Sequence, residues 1–187
     1  MDAFSYLSVL LSIILGLAIT QVLQGVRGLL LSRARVRLYL PTLLWSGLIL
    51  LMATQMWWSS FGLAGHAEWT FGAFGMVLLQ TTLLYMQAAL VLPDFPAGET
   101  HDLREHYYRE ARPFFAVFLA ILAVSLLKDL VIDGHLPIGV NLAFHGLFAA
   151  GAVAALTTRR PRVHEAVAIG LTLLVGGYIY LLFSRLG

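Results

Sequence analysis

Six apolar segments of about 20 residues each follow one another along this chain, and they restrict its possible folds more than any other feature. A helix rises about 1.5 Å per residue, so about 20 apolar residues cross the roughly 30 Å of hydrocarbon in a bilayer. A continuous helix also satisfies its own backbone hydrogen bonds, as a lipid environment requires. The pattern predicts an all-α, polytopic integral membrane protein, a bundle of six transmembrane helices. The segments are residues 4–23, 38–62, 71–92, 114–133, 137–157 and 164–183.

The composition excludes other classes of protein. Of the 187 residues, 59% are apolar and 12% are charged, whereas about a quarter of the residues in a soluble domain are charged. A disordered chain lacks this apolar content. Six spans leave no room for a separate soluble domain, so we predict a single transmembrane domain over residues 1–187. The absence of cysteine excludes disulfides, zinc–thiolate sites and iron–sulfur clusters.

The basic residues predict the orientation of the bundle. Lys128 and Arg185 belong to one side of the membrane, and the other ten lysine and arginine residues belong to the opposite side. Because cytoplasmic loops carry an excess of basic residues, we predict that both termini lie on the outer, periplasmic side. Arginine outnumbers lysine eleven to one, a bias that suggests a bacterial source, and we predict a multi-pass protein of the cell inner membrane. The ten residues are Arg27, Arg33, Arg35, Arg37, Arg104, Arg109, Arg112, Arg159, Arg160 and Arg162.

The longest connection, residues 94–113, is predicted to be a cytoplasmic loop with a short surface helix that begins near Thr100 and ends near Arg112. All six prolines are predicted to lie in loops or in the first or last turns of the spans. In this loop His101 and Glu105 are four residues apart, as are Asp102 and His106. That spacing differs from the established zinc-binding helix motifs. We therefore interpret it as a solvated charged face and predict no metal site.

Two ladders of small residues predict close contacts between helices, because packing drives the association of helices in lipid. We expect the first and fifth spans to be central in the bundle. A ladder left uncovered within one chain would favour a homo-oligomer. The ladders are Ser8, Ser12, Gly16 and Thr20 in the first span, and Gly139, Ala143, Gly146, Ala150 and Ala154 in the fifth.

Polar side chains in four adjacent spans reach comparable depths in the outer half of the membrane. Polar groups at such positions are costly and indicate functional sites by default. We predict an outward-facing polar cavity with ligand-binding residues Gln55, Gln80, Lys128, Asp129, Asn141 and His145. The alternative is that these side chains only bond to one another across helices, each contributing about 0.6 to 2 kcal/mol.

Three further expectations concern individual side chains. Adjacent residues on a helix point about 100° apart, so Lys128 and Asp129 need not pair with each other, and Lys128 can extend outward to the interface instead. His145 is expected to be neutral when buried alone and to gain a proton beside Asp129. Together with Ser125 these residues supply the types found in a hydrolytic triad, but geometry decides whether a triad exists.

A second polar set consists of Gln21, Gln24 and Gln87, on the inner side. With Gln80 it predicts either a polar line through the membrane or a dry hydrogen-bonded seam.

The leading hypothesis is a channel, carrier or binding protein for a small polar solute or ion. The alternatives are a non-transporting accessory or scaffold protein and an intramembrane enzyme centred on His145. We expect no catalytic residues and no cofactor. The expected partners are the lipid bilayer, a small polar solute or ion, and further copies of the chain, with no nucleic acid, because the basic residues lie beside the spans as topology signals.

Overall fold

The computed structural model describes residues 3–65, 69–96 and 98–182 and confirms the six-helix transmembrane bundle. Within this part of the chain, six α-helices are long and apolar enough to cross a membrane. The chain is therefore a multi-pass membrane protein. The helices are α1 (Ala3–Leu31), α2 (Leu40–Ser59), α3 (Phe71–Val91), α4 (Leu103–Asp133), α5 (Val140–Thr157) and α6 (Pro161–Leu182).

The helices α2 to α6 form a ring. Each packs against the next along the chain, and α6 closes the ring by packing against α2. The first helix, α1, packs against α2 and α3 from outside this ring. The expectation that the first span is central is therefore wrong.

Two ends of the bundle are used below as reference points. The terminal end is the end where α1 begins and α6 finishes. The arginine end is the opposite one, and it carries the connections at 32–39, 92–102 and 158–160. Which end faces the cytoplasm remains a prediction from the arginine distribution.

The fourth helix is longer than the sequence predicts. It begins at Leu103 and continues through Pro113 to Asp133, so the predicted surface helix is the first part of α4 and not a separate element. The side chain of Asp102 starts it by accepting hydrogen bonds from the backbone N–H groups of Arg104 and Glu105, at 2.8 and 3.3 Å. Pro113 is exposed inside the helix, which corrects its predicted position in a loop. Membrane helices tolerate an internal proline where its surroundings satisfy the freed carbonyl.

A short parallel strand pair fastens the arginine end. Strand β1 (Val36–Arg37) pairs with strand β2 (His101–Asp102), and the Arg37 guanidinium lies 3.2 Å from the Asp102 carboxylate. Nearby, the hydroxyls of Tyr39 and Tyr108 are hydrogen-bonded at 3.1 Å. Burial and this hydrogen bond raise the pKa of Tyr39, so its phenol stays protonated. Asp102 thus acts as a helix cap and an ion-pair partner.

The small-residue ladders do not hold the bundle together. Gly16 and Gly146 have nothing within 4 Å of the position that a Cβ atom would occupy, and most ladder residues are exposed. Close contacts occur at other glycines. A Cβ on Gly25 would lie 2.8 Å from Leu92 Cβ, and one on Gly151 would lie 3.0 Å from a Leu171 methyl group. A homo-oligomer formed through the exposed ladders remains a prediction.

Candidate functional site

A cavity of about 340 Å³ opens at the terminal end, inside the ring formed by α2 to α6. All six predicted site residues line it: Gln55 from α2, Gln80 from α3, Lys128 and Asp129 from α4, and Asn141 and His145 from α5. The helix face of each residue explains why it reaches the cavity. Gln80, for example, lies on the same buried face of α3 as Val77 and Leu84. The structure therefore brings together residues that are up to 90 positions apart in sequence.

His145 is held by two hydrogen bonds. Its Nδ1 lies 2.9 Å from the backbone carbonyl oxygen of Asn141, and its Nε2 lies 3.3 Å from Ser125 Oγ. A carbonyl only accepts, so Nδ1 carries the proton and donates it. With the neutral ring, Nε2 then accepts the hydroxyl proton of Ser125. The ring nitrogens of His145 thus contact Asn141 and Ser125, and not Asp129 as the proton-gain hypothesis requires.

Lys128 and Asp129 form an ion pair on the wall of the cavity. The ammonium nitrogen lies 3.3 Å from a carboxylate oxygen, and the side chains are 23% and 18% exposed. The two residues thus pair although helix geometry does not require it, and Lys128 contacts Asp129 in place of the outward extension considered above. The backbone positions do point apart, but the long lysine side chain bends back to reach its neighbour.

Three amide groups in the cavity wall retain free hydrogen-bonding capacity. Within the described residues, Gln55 and Gln80 form no side-chain hydrogen bond with the protein. The Oδ1 atom of Asn141 is buried and has no partner. Buried polar groups in proteins are nearly always paired with protein or water. These amides are therefore available to bond to water or to a solute that enters the cavity.

An apolar recess of about 80 Å³ continues the cavity into the bundle. On the side of the recess that faces the arginine end, Trp45 packs edge-on against Phe114, Phe115 and Phe118. The centroid of its ring lies 5.0, 5.4 and 5.5 Å from theirs. All four rings are buried, so this aromatic cluster closes the cavity towards the arginine end. The recess is lined by Met52, Phe118, Ile121, Leu122, Phe148 and Val175, together with residues shared with the cavity.

The predicted polar line towards the other side is not formed. Leu84, which is fully buried, separates Gln80 from Gln87 on α3. Gln87 is itself fully buried, and neither of its amide atoms has a hydrogen-bond partner. Gln24 is exposed and Gln21 is half-buried. These glutamines therefore form neither a continuous path nor a hydrogen-bonded seam.

Tyr178 of α6 lines both the cavity and the recess, although it is not among the predicted site residues. Its ring packs edge-on against Phe144 and Phe148 of α5, at 5.4 and 5.9 Å. The sequence does contain one indication that Tyr178 belongs to the site, namely its depth in the membrane. It lies about one turn from the end of α6, level with the polar residues of the other spans.

Two of the four loop residues considered for metal binding, Asp102 and His106, have other partners. Asp102 caps α4 and pairs with Arg37. His106 contacts the carbonyl oxygen of Leu90 at 3.1 Å and the guanidinium of Arg109 at 3.1 Å. Across residues 3–65, 69–96 and 98–182, no group of three or more histidine, aspartate or glutamate side chains is arranged to hold a metal ion.

Comparison with known proteins identifies no relative: no protein-family model, no curated protein and no solved structure matches the chain. The class defined by the fold is a six-helix integral membrane protein.

Proposed function

We propose that this protein binds a small polar solute or ion in the cavity at its terminal end, and that the cavity opens to the outer side of a bacterial inner membrane. The observation that carries the proposal is that the amides of Gln55, Gln80 and Asn141 line one cavity, where the buried Asn141 Oδ1 has no hydrogen-bond partner. An unsatisfied buried polar group costs about 1 to 3 kcal/mol. A solute in the cavity that bonded to Asn141 Oδ1 would remove this cost.

The size and chemistry of the cavity favour a small solute with both donors and acceptors. Its volume of about 340 Å³ lies near the lower end of the range for ligand pockets, roughly 300 to 1,000 Å³. The wall offers the Lys128 ammonium, the Asp129 carboxylate and neutral amides. Such a mixed set favours a solute with balanced polarity over a highly charged one.

The aromatic cluster around Trp45 bears on the mode of action of the proposed site. A channel needs a continuous polar or wide path, whereas this cavity ends at buried rings. The shape therefore supports a binding protein, or a carrier with its site open to one side, over an open pore. The arginine asymmetry supports the outer side as the one from which the solute enters.

A non-transporting scaffold protein is the second candidate. It is favoured by the internal pairing of Lys128 with Asp129 and of His145 with Ser125. Under this candidate the polar groups stabilise the bundle, and the cavity holds only water.

Thermal unfolding of the purified protein with a panel of small solutes separates the two candidates. The panel contains glycine, glycerol, urea, acetate, ammonium and the alkali cations. A solute present at 100 times its Kd stabilises the folded state by about 2.7 kcal/mol. We expect at least one member to raise the Tm saturably in the wild type but not in Asn141→Leu or Gln55→Leu.

The control variant is Leu173→Ala, which alters an exposed side chain on the outside of α6 and should retain the response. If no solute shifts the Tm and both leucine variants are more stable than the wild type, the scaffold candidate is correct.

A further inference from the structure

We propose that Ser125 and His145 form a nucleophile and general-base pair that hydrolyses small esters carrying a short acyl group. This inference rests on the proposed function, because the substrate must enter the same cavity. The pair is suited to this chemistry through its hydrogen bonds, its position at a polar–apolar boundary and the free amides beside it.

The hydrogen bonds set the correct tautomer. His145 donates from Nδ1 to the Asn141 carbonyl at 2.9 Å, which leaves Nε2 free to accept the proton of Ser125, 3.3 Å away. A base that is bonded to its nucleophile and oriented by a third group is the arrangement by which serine is activated. Here a backbone carbonyl takes the orienting position that a carboxylate occupies in triads.

The hydroxyl of Ser125 bonds differently from those of three threonines in the membrane helices. The hydroxyls of Thr54, Thr82 and Thr172 each donate to a backbone carbonyl one turn earlier, at 2.7 to 2.9 Å. That local bond is the usual outcome for such side chains within a helix. The Ser125 hydroxyl instead reaches from α4 to the imidazole of His145 on α5.

The pair lies where the polar cavity meets the apolar recess, since Ser125 and His145 line both. An acyl group in the recess would contact Phe118, Ile121 and Phe148, and a polar alcohol group would extend towards the ion pair in the cavity. The ester carbonyl would then lie near Ser125 Oγ. The recess of about 80 Å³ restricts the acyl group to a short chain.

The amides of Gln55 and Gln80 supply hydrogen-bond donors for the oxyanion that forms during the reaction. Both line the cavity and the recess, and within the described residues neither is bonded to the protein. Side-chain amides that donate to a developing oxyanion stabilise the transition state of acyl transfer. Their N–H groups are free for that role.

The reaction balances without any further reagent. Ser125 Oγ attacks the ester carbonyl carbon while its proton passes to His145 Nε2, and the tetrahedral intermediate carries its negative charge on the former carbonyl oxygen. Cleavage of the bond to the alcohol oxygen, which takes the proton from His145, leaves acyl-Ser125. Water then attacks the acyl carbon and gives a proton to His145, which returns it to Ser125 Oγ as the acid leaves.

The test uses a short-chain fluorophosphonate, which labels activated serines, and p-nitrophenyl acetate as a substrate, with the purified full-length protein. We expect the wild type to be labelled and to hydrolyse the ester. Ser125→Ala should abolish both, and His145→Gln should lower both by about 10²- to 10⁴-fold, the contribution typical of a general base. Thr82→Val, which alters an exposed hydroxyl on α3, should retain both, and the Tm of each variant checks its folding.

Labelling of Ser125→Ala equal to that of the wild type would overturn the proposal. So would the absence of labelling in a folded wild type. In that case a Gln80→Cys variant identifies which proposal fails. If a water-soluble thiol reagent modifies Gln80→Cys, the cavity admits solutes and only the ester chemistry is wrong; if it does not, the proposed function fails as well.

Discussion

The ammonium of Lys128 lies 3.3 Å from the carboxylate of Asp129, its neighbour along α4, and both side chains face the cavity in a largely buried position. Removing one partner would leave the other charge unpaired. Broken ion pairs cost about 3 to 5 kcal/mol when fully buried and under about 1 kcal/mol when exposed. We expect Lys128→Met and Asp129→Asn each to lower the stability by about 1 to 3 kcal/mol, between those limits.

The double variant Lys128→Met/Asp129→Asn contains no unpaired charge and should recover most of the loss. Thermal unfolding of the four proteins as a double-mutant cycle measures the coupling. Strictly additive losses would show that the ion pair does not form.

A second prediction concerns a buried hydrogen bond at the arginine end. Tyr107 donates its hydroxyl proton to His164 Nδ1 at 2.9 Å, because His164 Nε2 donates to the carbonyl of Thr158 at 2.8 Å. His164 is 1% exposed, so water cannot replace the lost partner. Tyr107→Phe should lower the stability by about 1 to 3 kcal/mol, the penalty for an unsatisfied buried acceptor.

Tyr108→Phe is the matched control, because the bond between Tyr108 and Tyr39 is only partly buried. We expect a loss below about 1 kcal/mol there. Equal melting temperatures for the two phenylalanine variants would contradict the assigned role of Tyr107.

The third prediction compares two glycines of α1. A Cβ on Gly25 would lie 2.8 Å from Leu92 Cβ, whereas the same position at Gly16 meets nothing within 4 Å. A β-carbon sits next to the backbone and cannot turn aside, so Gly25→Ala must displace α1 and should lower the stability by about 1 to 3 kcal/mol.

Gly16→Ala should leave the stability unchanged or raise it by up to about 1 kcal/mol, since alanine favours helix over glycine. Melting temperatures in the same detergent provide the comparison. A larger loss at Gly16 than at Gly25 would mean that the small-residue ladder of α1 is the packing face after all.

Much of the fold was predictable, because the length and the apolar character of each segment are enough to identify it as a membrane-spanning helix. Counting residues from the helix ends was also sufficient to bring Gln55, Gln80, Asn141 and His145 to a common depth. The helix face of a residue was harder to predict. The small-residue ladders are regular in sequence, yet they lie on the exposed side of their helices. A four-residue spacing shows that the small residues share one helix face, but it does not show which neighbouring helix, if any, covers that face.

The details of the site depended on side-chain freedom and on contacts between helices. The 100° separation of Lys128 and Asp129 did not prevent pairing, since the lysine chain is long enough to bend. The contact between Ser125 and His145 joins α4 to α5 and has no local signal in either helix. The depth of Tyr178 was readable, but its position on the inner face of α6 was not.

The central claim is that water and small solutes reach the polar cavity from the outer side only. The chain contains no cysteine, so single-cysteine variants report one position each. A charged, membrane-impermeant thiol reagent applied to either face of oriented membranes measures this access at Gln80→Cys. Two control variants are measured in the same way. Leu173→Cys lies on the exposed surface of α6, and Arg35→Cys lies at the arginine end.

We predict that Gln80→Cys reacts from the outer face alone, that Arg35→Cys reacts from the cytoplasmic face alone, and that Leu173→Cys reacts from neither because it faces lipid. Reaction of Gln80→Cys from the cytoplasmic face, or from neither face while Arg35→Cys reacts, would contradict the account of an outward-facing cavity.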